Sequence, residues 1–251
     1  MPLQSEYTDL VTPSQVADLS MAKLGKEIEG ALRATPGSGD TQEIQQAVLH
    51  LIKGTSRQIN EALNRELIVA QHTDYFNPDE DWIEAPEYQL PDDESKWRAF
   101  FSNYPALHVY SVDADTDLAD EVTVMGEDQD IAATDLEGDL TQLPTRINFF
   151  AGFKRFDFDQ PGSGGSWNDI FSTTTLTDLP ETVEVPNLPM DICEVCATIV
   201  IAKLRWQYKG LIGVISTSMT ADRLNITSQK QVDGFVETQL ASIMHHRKPP
   251  Y

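Results

Sequence analysis

The chain has 251 residues, 40% of them apolar, and a formal net charge of −22. That apolar share supports a real core and excludes disorder throughout, and the excess of carboxylates excludes a nucleic-acid grip, which relies on clustered Lys and Arg. The charge is uneven, because residues 201–251 hold seven Lys and Arg against three Asp and Glu, leaving −26 for residues 1–200.

At the start, MPLQSEYTDL has neither a basic n-region nor an apolar h-region, and no apolar run approaches the 18 or so residues of a membrane span, so a soluble protein made in the cytoplasm is expected. Thr12-Pro13-Ser14 opens the first helical pattern: Thr12 caps it, Pro13 suits its first turn, and Val16, Leu19, Leu24 and Ile28 take its apolar positions. The turn-rich ATPGSGD follows. Asp40 and Glu43 are spaced as a capping box for a second helix, expected from Thr41 to about Leu67, with Ile44, Val48, Leu51, Ile52, Ile59, Ala62, Leu63 and Leu67 in helical phase. Gly54 weakens its middle by roughly 1 kcal/mol relative to Ala.

Residues 71–95 carry NPDEDW, APEY and LPDDES, the chemistry of an irregular, exposed acidic connector around Trp82 and Tyr88. From Trp97 the pattern turns to strands: FFSNYPALHVYSVDAD alternates at Leu107 and Val109, and VTVM and then RINFFAGFKRFDFD follow. DQPGSGGSW, residues 159–167, has the composition of a loop tip, and TTTLTDLPETVEVP reads as a strand pair or an extended run.

Between Asn187 and Gly210 a start signal, apolar periodicity and a stop signal all agree, predicting a long central helix. Pro189 fits the first turn, Asp191 and Glu194 complement the positive end of the dipole, and Gly210 follows Lys203, Arg205 and Lys209. Ile192, Val195, Cys196, Ile199 and Trp206 form one apolar stripe and are the candidate core; Val200, Leu204 and Tyr208 widen it. Such a rod, about 30 Å long, needs cover on more than one side, with Lys203, Arg205, Gln207 and Lys209 turned to water. LIGVISTSMT is then apolar and β-branched and ADRLNITSQKQ turn-like. A closing amphipathic helix carries Val232, Val236, Leu240 and Ile243 and ends at HHRKPPY, whose prolines favour an extended tail.

The expected architecture is α+β: a helical-bundle core with an inserted β region, extended loops and a C-terminal tail. Residues 1–70 supply the N-terminal helices of the core. Residues 71–186 are the inserted acidic loop and β region, and residues 187–251 the central helix, closing helix and tail, all in one composite domain.

No motif asks for an enzyme. Cys193-x-x-Cys196 lacks the second ligand pair that zinc needs, so both cysteines read as buried core thiols. The acidic run from Asp113 to Glu121 begins like a calcium loop, but Leu118 stands where that loop needs Gly and Val124 where it needs Glu. Pro36-Gly37-Ser38-Gly39 precedes a helix without the Lys-Ser/Thr of a phosphate cradle. His50, His72, His108, His245 and His246 form no HExxH, and His245 and His246 are assigned to the dipole at a helix C-terminus. No catalytic residue, metal ligand or cofactor is assigned.

Five segments carry a resemblance: TSRQINEALNREL (55–67), WRAFFSNYPALHVYSV (97–112), RINFFAGF (146–153), LPMDICEVCATIVIAKLRWQY (188–208) and ITSQKQVDGFVETQLASIMHHR (226–247). In this order they resemble the long second helix, the Trp-then-Pro entry into a β segment, the following strand, the Leu-Pro-x-Asp-Ile helix and the closing helix with its terminal Arg of the head-to-tail connector, or adaptor, proteins of tailed bacteriophages. That family stacks as a ring beneath the portal. The resemblance implies a non-enzymatic virion protein of the neck, assembled in the host cytoplasm. It also implies a homo-oligomeric ring, a dodecamer, that contacts the portal and the tail, stopper or other neck proteins. Genomic DNA passes its channel without sequence-specific binding, and no membrane is involved.

A ring closes through heterologous contacts, for which an acidic body and a basic C-terminal part supply opposite charge. Arg247, Lys248, Pro249, Pro250 and Tyr251 are the candidate portal contact, combining positive charge, a stiff backbone and an aromatic end. Gly162, Ser163, Gly164, Gly165, Ser166 and Trp167 are the candidate partner-contact loop. The alternatives are a tail-completion or baseplate protein, or a small metal-dependent hydrolase using the acidic-loop carboxylates.

Overall fold

The structure, a computed structural model, describes residues 9–19, 26–34, 41–76, 83–84, 97–112, 122–125, 130–133, 145–155, 179–180, 182–207 and 229–247. The fold is α+β. The described residues divide into two compact units, one drawn from Met1–Arg65, Arg155–Thr175 and Asn187–Tyr251, the other from Glu66–Lys154 and Leu176–Pro186.

The first unit is helical, and it begins with a reciprocal cap. The Gln15 N–H donates to Thr12 Oγ1 (3.2 Å) and the Thr12 N–H to Gln15 Oε1 (2.8 Å), which satisfies donors that a helix start leaves orphaned. Helix α1 therefore starts at Pro13 (Pro13–Leu19), and its residues from Pro13 to Ala17 are all buried. Helix α2 (Lys26–Arg33) is a separate element, a correction to the single helical run expected through Leu24 and Ile28. Arg33 Nη1 lies 2.6 Å from Asp18 Oδ1, whereas in one continuous helix the two Cα atoms would stand about 22 Å apart.

Helix α3 (Gln42–Leu63) runs 22 residues, with Thr41 at its N-cap making no side-chain cap bond; Asp40 lies outside the described residues. It ends four residues before the expected Leu67, because Asn64 adopts the left-handed conformation (φ 53°). The Asn64 and Arg65 N–H groups then close on the Glu61 and Asn60 carbonyls (3.2 and 3.1 Å), the paired bonds of a Schellman stop. The buried Gln45 amide donates to the carbonyls of Ala31 (2.9 Å) and Ala34 (3.4 Å), giving partners to the end of α2.

Helix α4 (Met190–Gln207) is the centre of this unit, with α1, α3 and the closing helix α5 (Gln229–Ser242) packed on it. That cover is why an 18-residue helix is apolar on nearly all sides. Ile192, Cys196 and Ile199 are wholly buried, Val195 nearly so, and each such aliphatic side chain contributes about 1.5–3 kcal/mol by leaving water. Three expectations fail here. Arg205, assigned to solvent, is buried; Lys203, also assigned to solvent, is half-buried; and Trp206, assigned to the core, is only half-buried.

The second unit holds two antiparallel sheets. One has the order β1 (Ala70–Phe76), β7 (Thr145–Ala151), β4 (Ala106–Val112); the other β2 (Ile83–Glu84), β3 (Trp97–Phe100), β6 (Asp130–Ala133), β5 (Val122–Met125). β1 and β2 correct the expectation of an irregular connector over 71–95. β1 escapes notice because it is a polar edge strand, alternating exposed Gln71, Thr73 and Tyr75 with half-buried His72 and Asp74. At the centre, β7 buries Ile147, Phe149 and Ala151, and Phe149 packs on Phe101 with ring centroids 4.0 Å apart. Asn148 ties all three strands in one polar row, accepting from Thr73 Oγ1 and donating to Ser111 Oγ, each at 2.7 Å. Along β4 the register shifts between Ala106 and His108, so Val109 is buried while Leu107, expected to alternate with it, stays half-exposed.

Gly152 closes this sheet. Its φ of +118° and the 2.7 Å that would separate an added Cβ from the Val69 nitrogen leave room for no side chain. The approach lets the Phe153 N–H reach the Leu67 carbonyl (2.8 Å) and the Val69 N–H the Phe153 carbonyl (2.9 Å).

Candidate functional site

Asp191 sits in the first turn of α4, where its Oδ1 accepts the Ile192 N–H at 3.0 Å. One carboxylate oxygen is thus held by the helix start, and the other, Oδ2, turns toward the end of α5. There the buried Ile243 leads into a 3₁₀ turn, Met244–His246, closed by the His246 N–H on the Ile243 carbonyl (3.0 Å) and the Arg247 N–H on the Met244 carbonyl (3.0 Å). Arg65 Nη1 adds a bond to the His246 carbonyl at 3.4 Å. This turn points both imidazoles at the same oxygen: His246 Nε2 lies 2.8 Å and His245 Nε2 3.2 Å from Asp191 Oδ2, with ring centroids 4.0 Å apart. The three ligand atoms lie within 4.8 Å of one another, the only such group of three or more His, Cys, Asp or Glu among the described residues. Asp191 and His246 are half-buried and His245 is exposed.

At the opposite end of α4, Lys203 and Trp206 line a cavity of about 300 Å³ with Gln58 of α3 and Val232, Asp233, Val236 and Glu237 of α5. The two contacts, one at each end, mean that α4 and α5 run antiparallel. Lys203 Nζ donates to Gln58 Oε1 (2.9 Å) and Thr55 Oγ1 (3.2 Å), and burial holds its pKa below the usual lysine range. Trp206 therefore borders a polar recess and does not seal the core.

Cys193 and Cys196 are free and buried in α4. Burial first, then the charge of Asp191, pushes the Cys193 thiol up to about 12, and burial raises Cys196 further, against a hydrogen bond with Ser56. Thiols held protonated in this way are poor nucleophiles and poor metal ligands.

Of the candidate portal contact only Arg247 is described; it is exposed and leaves the turn in an extended conformation (φ −66°, ψ 134°). Lys248, Pro249, Pro250 and Tyr251 lie outside the described residues, as do Gly162 to Trp167, the acidic run from Asp113 to Glu121 and Pro36 to Gly39. The Asp191, His245 and His246 group is missed by sequence reasoning, which assigned each end to its own helix dipole. Asp191 and His246 are 55 residues apart, and no spacing rule joins them. No family model matches the sequence, and no curated protein is significantly similar to it. Among the described residues, no helix is long and apolar enough to cross a membrane.

Proposed function

We propose that the protein is a structural adaptor of a tailed-bacteriophage neck, a homo-oligomeric ring that joins the portal to the tail and surrounds the exit path of the DNA. One observation carries this: the five segments that resemble the adaptors fall on helices and strands of the types the resemblance calls for, namely the end of α3, β3 with β4, β7, α4 and α5. The division of labour also suits a ring subunit. A helical body drawn mainly from both ends of the chain leaves a β unit, built from two intervening segments, to serve as a contact element. The net charge of −22 suits a channel wall that DNA must pass without sticking.

In this role the protein acts by fit and not by turnover. Neighbouring copies meet through two different faces until the rotation closes, and Arg247 with Lys248, Pro249, Pro250 and Tyr251 docks on the portal. The test is electron microscopy and mass photometry of the purified chain, alone and mixed with the portal of the same phage. Rings, or a portal complex of fixed stoichiometry, are expected. A chain that stays monomeric under both conditions overturns the assignment, and co-sedimentation undiminished by deletion of residues 248–251 moves the portal contact elsewhere.

A further inference from the structure

We propose that Asp191, His245 and His246 form a binding site for one Zn²⁺ ion per chain. Two imidazole nitrogens approach one carboxylate oxygen from a second element, at 2.8 and 3.2 Å, so that all three ligand atoms lie within 4.8 Å of one another. A donor set of two imidazoles and a carboxylate suits first-row divalent ions such as zinc and Fe²⁺, whereas calcium and magnesium take oxygen ligands. Zinc accepts three protein ligands and leaves a fourth tetrahedral position open. The exposure of His245 opens that position to water.

The ligands are held before any ion arrives. Asp191 keeps Oδ1 on the Ile192 N–H, so it offers Oδ2 as a monodentate ligand. The imidazoles ride on a 3₁₀ turn whose own hydrogen bonds, and whose bond from Arg65, fix its backbone. Such supports outside the ligand set lower the ordering that binding demands. Both nitrogens must present lone pairs to the ion, so any proton they share with the carboxylate leaves as zinc enters. The ion would clip the start of α4 to the turn after α5, immediately before residues 248–251. Zinc binding here needs neither ring nor portal, so its failure and that of the adaptor role are separate outcomes.

The experiment is calorimetric titration of ZnCl₂ into the full chain, carrying no histidine tag and stripped with chelator, followed by Co²⁺ absorption as a report of tetrahedral coordination. One Zn²⁺ per chain is expected, and His245→Ala should weaken binding by about tenfold or more. His245 is exposed, so this variant tests the site without disturbing the fold, which circular dichroism checks. Asp191→Asn and the double variant His245→Ala/His246→Ala should lose stoichiometric binding; should either fail to fold, His245→Ala decides alone. Absence of stoichiometric heat in the parent chain overturns the proposal. So does binding of equal affinity in His245→Ala, which would place the ion elsewhere.

Discussion

The helical unit and the β unit reach their cores by different routes. In the helical unit the elements are shaped by local signals: Thr12 with Gln15 starts α1, Asn64 stops α3, and the apolar stripe of α4 repeats at helical spacing. In the β unit, β7 has its partners far away in sequence, Ala151 facing both Ala70 and Ala106. A polar strand such as β1 becomes visible only through that pairing. Helix signals act within four residues, whereas strand signals need the partner to complete them.

This contrast can be broken or sharpened by substitution, read segment by segment with hydrogen exchange because a chain of two units need not unfold in one step. The largest effect is expected from Phe149→Ala, which empties the space against Phe101 and should cost about 3–5 kcal/mol. Exchange should rise through β1, β4 and β7; an equal rise in α4 would show that the two units unfold together. Next comes Gly152→Ala, about 2–4 kcal/mol, because a Cβ at positive φ meets the Val69 backbone at 2.7 Å. A urea midpoint for the β unit that does not move would mean that the contact at residues 67–69 is dispensable.

In the helical unit single local signals should be worth less. Thr12→Ala removes the acceptor of the Gln15 N–H and should cost about 0.5–2 kcal/mol, with Thr12→Ser restoring most of it. Loss of protection should begin at α1, and a change that starts in α4 would transfer the cap's importance to packing. The smallest effect is a gain. Gly54 is exposed within α3 with nothing within 4 Å of an added Cβ, so Gly54→Ala should raise the thermal midpoint of the monomer by the equivalent of up to about 1 kcal/mol. A lower midpoint would reveal a packed surface at that position.

The α+β class and the positions of α3, α4, α5, β4 and β7 were legible from periodicity and from capping residues. Thr12 and Pro13 were read in their true roles, and the apolar stripe of α4 correctly implied cover on several sides. What escaped were places where one local signal was outweighed. Leu67 keeps helical phase with α3, yet the left-handed Asn64 ends the helix first. Arg205 has a side chain that prefers water, yet it lies on a covered face of a helix packed on nearly all sides. The break between α1 and α2 was hidden because apolar spacing continues across it, and the packing of the two helices with the Asp18 to Arg33 ion pair reveals the fold-back.

The candidate site was the least legible part. Sequence alone determined that Asp191 opens a helix, since dipole and capping preferences depend on near neighbours. His245 and His246, assigned to a helix C-terminus, come just after one, in a 3₁₀ turn beyond Ser242 and not in its last turn. That these two ends meet was decided by the antiparallel packing of α4 and α5, which carries His246 across 55 positions of sequence to within 2.8 Å of Asp191. The same packing left Trp206 bordering a polar recess at the other end. Burial of apolar area selects how helices lie together, and it does so without regard to which polar groups it brings into contact.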